Sequence, residues 1–193
     1  MKYTGNFEGS ALTVKKGDDV SELETVSGAL IIDTEISLPA LVEVGGNLII
    51  CQKASFPSLV RVGWSLECKK HGIDFPTLKV IGKFPYLHKD VHMPALETIG
   101  GLPVLPSSDV LANLKIVAPI ALQQGALDMG VVHAKCKTAH CIAGWGCETL
   151  PGGRELEKSH DWDVAGAHLL GLEAAKMFYG TDSEARTFLE KFV

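Results

Sequence analysis

Residues Cys136 to Trp145 read CKTAHCIAGW. Two cysteines, a histidine and a tryptophan in ten positions admit three chemistries. In the first, Cys141 is a nucleophile at a helix start, where the dipole and unpaired backbone N–H groups lower a thiol pKa, with His140, His160 or His168 as base. In the second, Cys136, His140, Cys141 and His160 bind zinc, with His133 and Cys147 as further ligand candidates. Structural zinc takes four converging ligands, usually paired two to four residues apart. Four residues separate Cys136 from Cys141 and five separate Cys141 from Cys147, so neither spacing is diagnostic. In the third, the segment packs: free cysteine behaves as a small buried hydrophobe, and Ala139, Ala143, Gly144, Gly146 and Cys147 make a helix surface that another element can approach closely. Trp145 is then the core anchor, and His140 donates to a backbone carbonyl. The packing reading is favoured, with no catalytic residue and no cofactor assigned; the Cys/His enzyme and the zinc domain are the alternatives.

The elements that position this motif belong to the C-terminal third. Thr138 is the expected N-cap of a helix from Ala139 to Leu150, ended by LPGG. ALQQGALDM, from Ala121, is expected to form a short helix. Asp161 is placed to cap WDVAGAHLLGL, EAAKMFY stops at Gly180, and TDSE from Thr181 to Glu184 is a capping box for a last helix with Ala185, Phe188, Leu189 and Phe192 on one stripe. These elements add up to a small bundle of four or five helices, expected to cap the end of the preceding repeats.

Upstream the pattern is a repeat. LPALVEVGGNLII from Leu38, FPSLVRVGWSLEC from Phe56, FPTLKVIGKFPYL from Phe75 and MPALETIGGLPVL from Met93 place prolines at Pro39, Pro57, Pro76 and Pro94, spaced by 18, 19 and 18. Units without the proline extend the series back to Leu23 and forward to Leu114. Each unit reads Pro-x-Leu-x-x-Val/Ile-Gly and then a second apolar stretch, which suits two short extended segments bent at a glycine corner of positive φ. A period of about 18 is too short for a helix pair and fits one coil of a solenoid. Stacking would align Leu23, Leu41, Leu59, Leu78, Leu96 and Leu114 in one internal ladder. The expected class is α+β: a short-repeat β-solenoid over residues 1–118, then a helical bundle over residues 119–193.

The repeats resemble the leucine-rich-repeat-like β-solenoids of receptor L domains and of fungal cell-wall proteins, which implies a recognition surface. In GKFPYLHKDVH the third coil departs from its neighbours, and Tyr86, His88 and His92 are the candidate partner-binding residues. The segment LDMGVVHAKCKTAHCIAGW, from Leu127, is similar to one found in small bacterial and phage proteins. That resemblance implies a phage or prophage protein, or a bacterial protein exchanged with phages; in a phage context the expected partner is a bacterial host protein, part of a defence system.

Composition narrows the classes further. The 193 residues are 46% hydrophobic and 21% charged, which is globular. A formal net charge of −5 argues against nucleic acid as a partner. No run of about 18 apolar residues suggests a membrane span, and MKYTGNFEGS lacks the features of a signal peptide. A cytoplasmic protein with reduced cysteines is expected. The function expected is that of a protein-binding module.

Overall fold

The computed structural model describes residues 1–88, 90–133 and 139–193. The chain divides into two compact units, Met1–Gly101 and Leu102–Val193.

The first unit is a β-solenoid. Its strands are β1 (Lys2–Phe7), β2 (Ala11–Val14), β3 (Asp19–Val26), β4 (Ala29–Ile32), β5 (Ile36–Ser37), β6 (Glu43–Val44), β7 (Leu48–Ile50), β8 (Ala54–Ser55), β9 (Arg61–Val62), β10 (Leu66–Cys68), β11 (Val80–Ile81), β12 (Tyr86–Leu87) and β13 (Thr98–Ile99). One sheet takes β1, β3, β6, β9, β11 and β13 in that order, a second takes β2, β4, β7, β10 and β12, and β5 pairs with β8. Pairing is parallel, with Leu30 beside Leu48 and Leu48 beside Leu66. A strict repeat gives this result because each residue falls beside its equivalent in the next coil.

Alternation along each short strand sends one set of side chains inward. Leu23, Leu41, Leu59, Leu78 and Leu96 form the expected ladder and are buried, as are Leu12, Leu30, Leu48 and Leu66 on the second sheet. Each such side chain stabilises the stack by about 1.5–3 kcal/mol. The residues before the prolines make a further row, in which Phe56 and Phe75 stack with centroids 5.4 Å apart.

The expected positive φ is found at the corner of the last repeat, Gly100 at 59° and Gly101 at 83°, but the preceding corners have a different cause. Gly63 and Gly82 do not adopt positive φ. A Cβ on either would lie well inside 3.0 Å of the backbone of the coil before, at Gly45 and Gly63 respectively. The coils stack so closely there that no side chain fits.

The series of repeats also changes at both ends. The first coil begins at Lys2, since β1 pairs with β3 and β2 with β4; GSALTV, from Gly9, is in register with SGALII, from Ser27, and was the signal for it. At the other end Leu114 leaves the ladder. It lies in α1 (Ser107–Ala121), where Leu114, Val117, Ala118 and Ala121 are buried. That spacing is helical, and the coincidence of 18 residues after Leu96 had placed a coil there. The expected division at residue 118 therefore falls inside a helix.

The second unit contains four more helices: α2 (Ile142–Thr149), α3 (Gly153–His160), α4 (Trp162–Ala175) and α5 (Asp182–Leu189), with a 3₁₀ turn over Glu190–Phe192. The expected helix over ALQQGALDM is absent: past Ala121 the chain turns, with Gly125 at φ 75°, and Leu127 bridges to His140. Helix α4 is broken at Gly171, whose φ of 79° lies outside the helical region. The capping box of α5 is formed, with Thr181 accepting from Glu184 N–H and the Glu184 carboxylate accepting from Thr181 N–H. Among the described residues no helix is long and apolar enough to cross a membrane.

Candidate functional site

The His-Cys-Trp segment is organised around His140, which is fully buried. Its backbone N–H donates to Ala126 and its carbonyl accepts from Asp128 N–H. Trp145, one turn into α2, donates its indole N–H to the Ala126 carbonyl at 2.8 Å and meets the His140 ring edge-on at 4.5 Å. Cys141, and not Thr138, is the N-cap of α2: its Sγ accepts from Gly144 N–H at 3.3 Å. Thr138 lies outside the described residues. The helix starts later because residues 139–141 are tied to the preceding turn, with Cys141 N–H donating to Val131.

This geometry assigns Cys141 a capping and packing role. Burial pushes its thiol pKa up, against the lowering by hydrogen bonds from backbone N–H groups that include Gly144. Cys147 is pushed up to about 12, by burial first and then by the nearby Glu157 carboxylate. A thiol that resists ionisation is a poor nucleophile. The small residues do let helices approach: a Cβ on Gly166 of α4 would collide with Ala143 of α2, and one on Gly146 with Leu170.

The histidines proposed as bases serve other partners. His160 closes α3 with Nδ1 2.8 Å from Ser159 Oγ, and His168 Nδ1 donates to the Pro103 carbonyl at 2.7 Å. Among the described residues His140, Cys141 and His160 do not converge as a three-ligand metal cluster. Cys136, the fourth member of that set, lies outside the described residues.

A cluster the sequence did not reveal surrounds His133. Its Nδ1 is 2.8 Å from Nδ1 of His140, and its Nε2 is 2.6 Å from Glu157 Oε1 and 2.9 Å from Arg154 Nη1. Arg154 in turn pairs with Glu157 at 3.0 Å and with Glu148. Val132 O, 3.3 Å from His140 Nδ1, can only accept. At His133 Nε2 two partners of opposite kind meet, the Glu157 carboxylate, which can only accept, and Arg154 Nη1, which can only donate. The chain Glu157–His133–His140 fixes the buried ring that Trp145 packs on. Glu157 and Arg154 went unnoticed because GRELEKSH carries no long apolar stripe; its Arg154–Glu157 spacing of three was the available sign.

On the solenoid the candidate binding residues separate. Tyr86 is 41% exposed on β12. It ends an outward row on the second sheet, Thr13, Ile31, Ile49, Glu67 and Tyr86, each in register with the next. A depression of about 160 Å³ lies there, lined by Asn47, Ile49, Ser65, Glu67 and Tyr86. Trp64, 55% exposed, stands at the corner before β10 with Lys83 Nζ 4.9 Å above its ring. His88 is half-buried in the loop after β12, and the exposed His92 bridges to Asp74 through its backbone. Trp64 went unnoticed as a surface aromatic because it replaces the second glycine of the corner. No family model, no curated protein and no solved structure matches the chain.

Proposed function

We propose that this chain is a protein-recognition module that binds its partner through the second sheet of the solenoid and carries out no chemistry of its own. The observation that carries this reading is the outward row Ile31, Ile49, Glu67 and Tyr86, flanked by Trp64: two isoleucines, a carboxylate and two aromatic side chains presented by a parallel sheet. Exposed Trp and Tyr are the side chains that most often dominate binding energy at protein interfaces, and a preformed sheet loses little conformational freedom on association. The likeness of the repeats to leucine-rich-repeat-like L domains supports the same use. The similarity of the C-terminal segment to phage proteins supports a bacterial host protein, part of a defence system, as partner and the cytoplasm as the place of encounter.

The test is capture from bacterial lysate on immobilised full-length protein, beside Tyr86→Ala, Trp64→Ala and Cys141→Ser variants checked for folding. A stoichiometric partner that the two aromatic variants hold at least about 30-fold more weakly, the effect of losing about 2 kcal/mol at a hot spot, supports the reading. A partner held equally by both aromatic variants moves the site off this sheet. Loss only with Cys141→Ser would transfer function to the helical unit.

A further inference from the structure

The loop after β10 and the loop after β12 belong to neighbouring coils. From Cys68 to Phe75 the chain is one residue longer than from Ile50 to Phe56 in the coil before, and Gly72 accommodates the bend at φ 65°. This change of length brings His71 over residues of the next loop. Nδ1 of His71 lies 2.9 Å from Oδ2 of Asp90, and Nδ1 of His88 lies 3.6 Å from the same oxygen. The two imidazole centroids are 3.6 Å apart, and one ligand atom from each of the three residues lies within 4.8 Å of the others.

His71 Nδ1 is a hydrogen-bond partner of the Asp90 carboxylate. The backbone N–H of Asp90 reaches His88 Nδ1 at 3.5 Å, which makes that nitrogen an acceptor. The two ring nitrogens and the carboxylate oxygen are close enough for a cation to replace these hydrogen bonds, each ring nitrogen then turning its lone pair to the metal. Zinc bound at 2.0–2.2 Å to nitrogen and oxygen in a tetrahedron holds its ligand atoms about 3.3 Å apart, and the observed 2.9 and 3.6 Å bracket that value. Two imidazoles select borderline transition metals over magnesium and calcium, which take oxygen ligands.

We propose that His71, His88 and Asp90 form a binding site for a divalent transition-metal ion of the zinc type, which ties two neighbouring coils together and takes water in its fourth position. The site is open to incoming metal, because the side chains of His71 and Asp90 are 68% and 49% exposed.

The experiment is titration of the metal-free full-length chain with cobalt(II) alone, followed by displacement with zinc(II). One equivalent is expected to give the visible d–d bands of a nitrogen and oxygen site without the charge-transfer band of a thiolate. His71→Ala and Asp90→Asn are each expected to weaken binding more than about tenfold, the lower limit for loss of even an outer partner of a metal site, and His71→Ala with His88→Ala to remove it. These side chains lie at the surface, and far-UV circular dichroism checks each variant. Absence of binding, a thiolate band, or binding that survives the double variant would overturn the proposal.

Discussion

His133 and His140 meet through their rings: their Nδ1 atoms are 2.8 Å apart, and Glu157 Oε1 holds the far side of the His133 ring at 2.6 Å. The pair is the polar support beneath Trp145. His133→Ala is expected to destabilise the helical unit by about 1–3 kcal/mol, the penalty for stranding polar groups in a partly buried network. Urea unfolding measures it, and Glu157→Gln, which keeps a polar partner beside His133 Nε2, is expected to lose less than Glu157→Ala. Equal losses in the two Glu157 variants would show that the carboxylate acts on Arg154 alone.

Cys141 caps α2 through sulfur, and serine is a better N-cap than cysteine. Cys141→Ser is therefore expected to stay within about 1 kcal/mol of the parent, and Cys141→Ala to lose about 1 kcal/mol or more. A serine variant less stable than the alanine one would mean that burying the hydroxyl outweighs the cap.

Stability is expected to fall at alkaline pH. The Cys147 thiol, at about 12 in the folded chain, lies above its ordinary value of 9.0, and burial shifts Cys68 and Cys141 the same way. Below pH 9 both states keep the proton and the thiols add no slope. Above it the unfolded chain binds fewer protons than the folded one, so each shifted thiol removes up to about 1.4 kcal/mol per pH unit until its folded value is reached. Urea midpoints between about pH 8 and about pH 10.5 read this slope, and Cys147→Ala should flatten it. An unchanged slope would assign it to other groups.

Gly63→Ala places a methyl group against the backbone of Gly45. Overpacking against an immovable neighbour is expected to remove about 3 kcal/mol. Tyr86→Ala, at an exposed position, should change stability by about 0.5 kcal/mol or less. Comparable losses for the two would contradict the stacking geometry.

Mass mapping after brief labelling of the native chain is expected to find Cys51, which is half-buried, alkylated before the buried Cys68, Cys141 and Cys147. Early labelling of Cys141 would restore the nucleophile reading.

The sequence by itself determined what local periodicity can encode. A period of about 18 specified the coils, their ladder from Leu23 to Leu96 and the parallel stacking, because every buried side chain meets its own equivalent one coil away. It also specified the capping box at Thr181 and Glu184, whose partners are three residues apart. The tertiary structure decided the rest. Leu114 satisfies both the coil period and a helical stripe, and packing in the helical unit selected the helix. Gly63 is required by the backbone of another coil, a neighbour that a local φ argument does not see. His133 meets Glu157 across 24 residues, and His71 meets Asp90 across 19 after a one-residue change in loop length. Contacts of that kind depend on register between distant segments, and register is fixed when the core packs.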